Sequence, residues 1–149
     1  NIIQPDFIRV HATGIKLESK LGEFVRDGSF TLQSEEEIVI EQKLFLQQLH
    51  EMDSYYVNEH IVNLLLEIRG NLRTEKQEML STIDRFLTLP PDERLLFAVG
   101  RRLNIFFRLD DLKNPKLHQK AEESLQQILS KNPHVDFAAL CNYVRQSQI

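Results

Sequence analysis

Residues 90–109 have the sequence PPDERLLFAVGRRLNIFFRL, which predicts a helix with apolar residues on more than one side. Pro90-Pro91 suits a helix start because proline is tolerated in the first turn, and Asp92 and Glu93 favour the positive end of the helix dipole. At about 100° per residue, one sector is the expected core stripe. It contains Leu96, Val99, Leu103, Phe106 and Phe107. Gly100 lies beside this stripe and would let a neighbouring helix approach closely.

The opposite side of this helix combines arginines spaced by seven residues with two apolar side chains. It consists of Arg94, Phe97, Arg101, Ile105 and Arg108, and we call these five residues the arginine face. In one interpretation the helix is central and enclosed, with its arginines paired to acids near residues 35–41. That is the commoner situation for a helix that is apolar nearly all round. In the other, the arginine face is exposed and binds a partner, because interfaces favour arginine and aromatic residues.

Helix-end signals and helical spacing predict further helices on both sides of residues 90–109. Ser34 to Glu37 and Thr74 to Gln77 each have the pattern of a capping box. Asn114-Pro115 predicts another helix start, Asn132-Pro133 predicts its end, and residues 136–145 predict a last short helix. Asp53 is predicted to cap a further helix that ends near Gly70, and residues 57–72 carry its apolar side chains at helical spacing. Those side chains are Val57, Ile61, Leu64, Leu65, Ile68 and Leu72.

The first thirty residues allow two interpretations. Thr13 could cap a helix over residues 14–27 that ends at Gly28, with the apolar spacing continuing to Val25. Alternatively, the alternation of residues 8–12 up to Thr13-Gly14 fits a β-hairpin. We favour the helix and expect any strand to lie before Phe30. The predicted fold class is therefore all-α, a single compact antiparallel bundle of about six to seven helices forming one domain over residues 1–149.

Composition narrows the classes of partner and location. The chain has 149 residues, with 18 basic and 22 acidic side chains and a formal charge of −4. It lacks the basic surplus that usually supplies nucleic-acid affinity, so no DNA partner is expected. Its longest apolar run, residues 95–99, is too short to span a bilayer. The single cysteine, Cys141, fits a reducing compartment, and we expect a cytoplasmic protein.

No motif in the chain predicts catalysis, a metal or a cofactor. None of the five histidines belongs to a Glu-x-x-His or His-Glu-x-x-His pattern. Cys141 lies on an apolar face and is expected to be a buried structural thiol. His118 and Glu122, four residues apart, are expected to form a solvated pair. We therefore name no catalytic, cofactor-binding or metal-binding residue.

By elimination, the sequence predicts a non-enzymatic interaction domain, an adaptor or regulatory module that binds another protein through the arginine face. One alternative is binding of an anionic ligand or a phosphoinositide-type head group by Arg94, Arg101, Arg102 and Arg108, because parallel arginines suit phosphate. Another is an enzyme whose site is assembled only in three dimensions. Tyr55-Tyr56 is a second candidate surface, where one ring is expected to reach solvent.

Overall fold

The computed structural model describes residues 3–50 and 52–146, and this part of the chain is mostly helical with one small sheet. Its α-helices are α1 (Lys20–Arg26), α2 (Glu35–Gln48), α3 (Lys76–Leu87), α4 (Pro91–Arg102), α5 (Pro115–Lys131) and α6 (Phe137–Gln146). Its strands are β1 (Phe7–Arg9), β2 (Tyr55–Val57) and β3 (Arg69–Asn71). A 3-10 helix covers Leu109–Lys113.

The sheet corrects the all-α prediction and the expectation that strands lie only before Phe30. The strand order is β1-β2-β3. β1 pairs with β2 in parallel, with Phe7 opposite Tyr55, and β2 pairs with β3 in antiparallel fashion. Of the alternating residues 8–12, only Ile8 and Arg9 lie in a strand, and the partner of that strand is nearly fifty residues away and not across a local hairpin.

α1 is shorter than the helix predicted over residues 14–27. It begins after Ser19, whose side-chain oxygen accepts a hydrogen bond from the amide of Gly22 at 3.1 Å. It ends before Gly28, which has a φ of 78° in the left-handed region that glycine adopts at little cost. The predicted stop was correct. The predicted start was wrong because residues 10–15 have no regular secondary structure and bond to the distant Asn63 and Asn142.

The strongest end signals are confirmed. At α2 the Ser34 hydroxyl accepts from the Glu37 amide at 3.2 Å, while the Glu37 carboxylate accepts from the Ser34 amide at 2.7 Å. At α5 the Asn114 side chain accepts from the amides of Lys116 and Leu117. Each signal works through neighbours in sequence, so the pattern alone was sufficient.

The capping box predicted at Thr74 is wrong. α3 begins one residue later than that pattern requires, and no side chain caps its start. The Glu75 carboxylate instead accepts a hydrogen bond from the Asn71 amide at 2.7 Å, at the end of β3. The Glu75 side chain is thus bonded to the end of β3, and α3 begins at Lys76, one residue after the predicted start.

Residues 57–72 are not a helix. They contain the end of β2, an irregular stretch and β3, and side chains such as Leu65 and Ile68 are fully buried. The side chains of Asn58 and Asn63 bond backbone carbonyls that would accept from backbone amides in a helix. Asn58 donates to the Leu65 carbonyl at 2.7 Å, and Asn63 donates to the Asn58 carbonyl at 3.1 Å. A segment buried on most sides shows apolar residues at many spacings, so its helical pattern was coincidental.

α4 ends at Arg102 and not near Leu109 as predicted. Asn104 has a φ of 57°, and the Ile105 amide turns back to the Gly100 carbonyl at 2.8 Å. This turn folds the Phe106 ring against α4, where an added Cβ on Gly100 would lie 2.5 Å from the ring. As a result Leu103 and Phe107, predicted in the core stripe, are 42% and 47% exposed.

α4 packs against α5 and α6, while α2 packs against α3. The core lies between these helices and the sheet. It includes Val39, Leu46, Tyr56, Leu65, Ile68, Ile83, Phe86, Leu96, Phe97 and Phe106. α4 therefore has the central position that one interpretation of its sequence predicted.

Candidate functional site

The arginine face does not form one exposed surface. Phe97 and Arg101 are fully buried, and Ile105 is 6% exposed. The Arg94 side chain is 19% exposed, and only Arg108 is open to solvent. The prediction that these five residues present a partner-binding face is corrected in this respect, because neighbouring helices and the turn after α4 cover most of them.

The Arg94 side chain, on α4, bonds to α2 and to the end of α3. Its Nε donates to the Glu36 carboxylate at 3.0 Å. Its Nη1 donates to the carbonyls of Leu87 and Leu89 at 2.9 and 2.7 Å, at the end of α3. The pairing with acids near residues 35–41, expected for a central helix, is therefore observed here.

A buried cluster of charges connects α2, α4 and α6. The Glu35 carboxylate accepts two hydrogen bonds from Arg102, at 2.9 and 2.6 Å, in a bidentate arrangement. It accepts a third from Arg145 Nη1 at 2.8 Å. All three side chains are at most 6% exposed. Such a cluster is stable only while every charge keeps its partner, since desolvation of a charge is costly.

Arg101 is less well satisfied. Its Nη2 donates to the Ile61 carbonyl at 2.9 Å, but its Nε and Nη1 have no hydrogen-bond partner among the residues that the structure describes. Burial, followed by the charge of Arg102, lowers the pKa of Arg101 to about 10. The nearby charges of Glu35 and Glu67 act in the opposite direction. The guanidinium is therefore still charged at neutral pH, with the Phe107 ring 5.6 Å away.

A recess of about 460 Å³ with more apolar than polar surface lies beside the sheet. Its walls come from the irregular N-terminal segment (10–15), residues 30–33, α2, β2 and the stretch after β2. The part of the wall that α2 forms includes Ile38 and Phe45, two apolar side chains that are not among the buried residues of this helix. Phe45 is 42% exposed at the mouth. We call this recess the α2 cavity.

Two buried asparagines hold the N-terminal wall of the α2 cavity. Asn63 donates to the Val10 carbonyl at 2.8 Å and accepts from the Ala12 amide at 2.7 Å. Asn142, on α6, accepts from the amide of Ile15 at 2.8 Å and donates to its carbonyl at 2.9 Å. Each side-chain amide therefore bonds one backbone N–H and one C=O of this segment, as a neighbouring strand would. These bonds replace ones that the same backbone groups would make in a helix.

The α2 cavity also has polar side chains in its wall, and several of them, such as Asn58 and Asn63, already bond within the protein. The Tyr56 hydroxyl accepts a hydrogen bond from Gln42 Nε2 at 2.9 Å. Burial raises the pKa of Tyr56 to about 12, so the phenol keeps its proton and can donate it. Arg145, from the buried charge cluster, lies at the same cavity. An apolar recess with a small number of placed donors is the usual form of a small-molecule site.

Two histidines mark the edge of this region. The rings of His11 and His60 lie 4.1 Å apart, centroid to centroid, and His11 lines the cavity. Partial burial, then the charges of His60 and Arg9, lower the pKa of His11. These effects favour the neutral form of His11. Among residues 3–50 and 52–146, no group of three or more potential ligand side chains is placed to hold a metal ion.

The remaining predicted residues are Cys141, His118 and the Tyr55-Tyr56 pair. Cys141 is buried as expected, and burial, followed by the charge of Glu35, raises the pKa of its thiol to about 12. His118 pairs with Glu122 at 3.4 Å and also with Glu93 at 3.2 Å. In the Tyr55-Tyr56 pair one ring is exposed, at 38%, and the other is buried in the α2 cavity wall.

Sequence reasoning missed most of the α2 cavity. Polar side chains within apolar segments were the one indication of it in the sequence. They are Asn58 and Asn63 after β2, and Arg145 in α6. Buried polar groups are normally hydrogen-bonded, so each such residue indicates a bonding partner elsewhere in the chain. The sequence gives no means of identifying that partner.

Within the described part of the chain, no helix has the length and apolar composition needed to cross a membrane. No protein-family model, curated protein or solved structure matches this chain.

Proposed function

We propose that this chain is a ligand-binding module whose α2 cavity takes a small, largely apolar molecule. The observation that supports this most directly is the composition of the recess. Its volume of about 460 Å³ falls within the usual range for small-molecule sites, roughly 300–1,000 Å³. More of its surface is apolar than polar, and its donors include the buried side chains of Tyr56 and Arg145.

The walls also favour a preformed site. Asn63 and Asn142 bond the N-terminal segment to the rest of the molecule, and β2 lies at the centre of the sheet. A ligand would therefore order few additional groups on binding, which limits the entropic cost of association. Half-exposed aromatic side chains at the mouth, Phe30 and Phe45, would lose apolar surface to the ligand.

The adaptor function predicted from the arginine face stays a prediction. Binding of a phosphate group by the arginine stripe has less support, because Arg101 and Arg102 are enclosed and Arg102 already binds Glu35. An enzyme whose site is assembled only in three dimensions stays an alternative.

The proposal is tested by titrating the protein with decanol and with decanoate, which share an apolar chain, while recording amide chemical shifts. We expect saturable shifts at cavity residues such as Val39, Tyr56 and Leu64, and none along α5. Saturable shifts with either ligand support the proposal. No saturable shift with either one contradicts it.

A pair of neighbouring substitutions provides the control. Phe45→Glu places a charge in the cavity wall, and we expect it to weaken binding about tenfold or more, because the charge loses water when the ligand enters. Leu44→Glu makes the same chemical change one residue away, at a side chain that is 55% exposed and outside the cavity. It should leave binding unchanged. Equal losses in both variants would place the ligand elsewhere on α2.

A further inference from the structure

The buried charges beside the α2 cavity do not balance. Three arginines, Arg101, Arg102 and Arg145, are at most 3% exposed, whereas Glu35 is the only acidic side chain buried to a similar degree in the described chain. Glu67 is half-buried; its Oε1 accepts from the Leu109 amide, and its Oε2 has no partner. Even if Glu67 compensates Arg101, Arg102 and Arg145 share one carboxylate and leave one excess positive charge.

Arg145 brings this excess charge to the α2 cavity. It is 2% exposed and lines the recess, and its Nη1 is bonded to Glu35. Its Nε has no hydrogen-bond partner among residues 3–50 and 52–146. A buried N–H group of a charged side chain that lacks a partner is costly, and an anion beside it would remove that cost.

The acidic residue of the cavity wall does not supply this anion. Glu41 is exposed and its carboxylate accepts from Gln33 Nε2 at 3.2 Å, so water screens it. Tyr56 supplies a second donor in the cavity, since its oxygen accepts from Gln42 and its own proton has no acceptor among residues 3–50 and 52–146. The cavity thus combines a mainly apolar surface with two buried donors that can bind a ligand, one of them charged.

We propose that the natural occupant of the α2 cavity is an amphiphile with one negative charge, an alkyl or similar apolar body ending in a carboxylate. The apolar body contacts Ile38, Val39 and Phe45, and the carboxylate is bound by Arg145 and Tyr56. This inference rests on the proposed function and adds the charge of the ligand to it. Charge-assisted hydrogen bonds of this kind are the strong ones in proteins, and they discriminate between a carboxylate and a hydroxyl.

The experiment compares the affinities of decanoate and decanol at concentrations where both are monomeric. We expect decanoate to bind about tenfold more tightly, because only its head group is charged. Arg145→Lys keeps the charge but removes the Nε–H and the planar fork. It should reduce this preference by lowering the affinity for decanoate while leaving that for decanol unchanged. Arg73→Lys, at an exposed site outside the cavity, is the matched control and should leave both affinities unchanged.

A second measurement needs no substitution and applies if Arg145→Lys fails to fold. The carboxyl carbon resonance of isotope-labelled decanoate, bound to the unmodified protein, is followed against pH. A carboxylate beside Arg145 should have a pKa below that of free decanoate, because the adjacent positive charge favours its ionised form. A head group held in an apolar environment without the arginine should instead show a raised pKa.

The outcomes separate the two proposals. Equal affinities for decanoate and decanol, or a raised pKa of bound decanoate, would overturn the anionic ligand and leave the ligand-binding function intact. Failure of both compounds to shift the cavity amides would overturn both. A decanoate preference that Arg145→Lys leaves unchanged would also contradict the assignment of Arg145.

Discussion

α5 and residues 57–72 carry apolar side chains at the same three- and four-residue spacing, yet only α5 is a helix. α5 has a local start signal at Asn114-Pro115, and Ala121 is its only fully buried residue. Residues 57–72 lie largely within the core. Their backbone groups accept hydrogen bonds from side chains, from Arg101 on α4 and from asparagines of the same segment. Apolar spacing thus indicates a helix when one side is buried, and loses that meaning when most sides are.

Arg101 gives the largest expected effect, because it donates to the Ile61 carbonyl in the buried stretch. Arg101→Glu places a negative charge in that enclosed position and removes the bond, and we expect a loss of about 3–5 kcal/mol in the free energy of unfolding. Chemical denaturation followed by circular dichroism measures this loss. Arg108→Glu, an exposed member of the arginine face, should stay within about 0.5 kcal/mol of the parent. A small effect at both positions would restore the exposed interpretation of that face.

Asn63 tests whether side-chain bonds hold residues 57–72 out of a helix. Asn63→Ala removes bonds to Val10, Ala12 and Asn58, and the groups left unpaired in a buried site should cost about 1–3 kcal/mol. Amide hydrogen exchange should quicken in residues 10–15, since this bond fixes the N-terminal wall of the α2 cavity. Asn132→Ala, at an exposed position, is the control. Unchanged exchange in residues 10–15 would show that another contact holds this segment.

The smallest expected effect concerns the local signals. Ser34→Ala removes an observed cap and should lower the free energy of unfolding by about 0.5–2 kcal/mol. Thr74→Ala changes the same kind of sequence pattern, but Thr74 caps no helix in the structure, so its effect should stay within about 0.5 kcal/mol. Parallel thermal melts compare the two. Equal losses would mean that the Thr74 pattern starts α3 after all.

The candidate site was less predictable than the helices around it. Tyr55-Tyr56 was noticed, and one ring does line the α2 cavity, but the sequence placed both in a helix. Arg145 and Asn142 lie within a short amphipathic helix and bond to Glu35 and Ile15, more than a hundred residues away. Such pairings leave no local pattern in the sequence, because a hydrogen bond depends on the positions of its two partners in space and not on their separation along the chain.

The sequence by itself determined the starts of α2 and α5 and the stop of α1 at Gly28. These features depend on residues within one helical turn. Only the tertiary structure decided the sheet, the turn at Asn104 and the enclosure of the arginine face. Each of these depends on which distant groups satisfy a buried backbone bond or a buried charge, and that choice is made by packing of the whole chain.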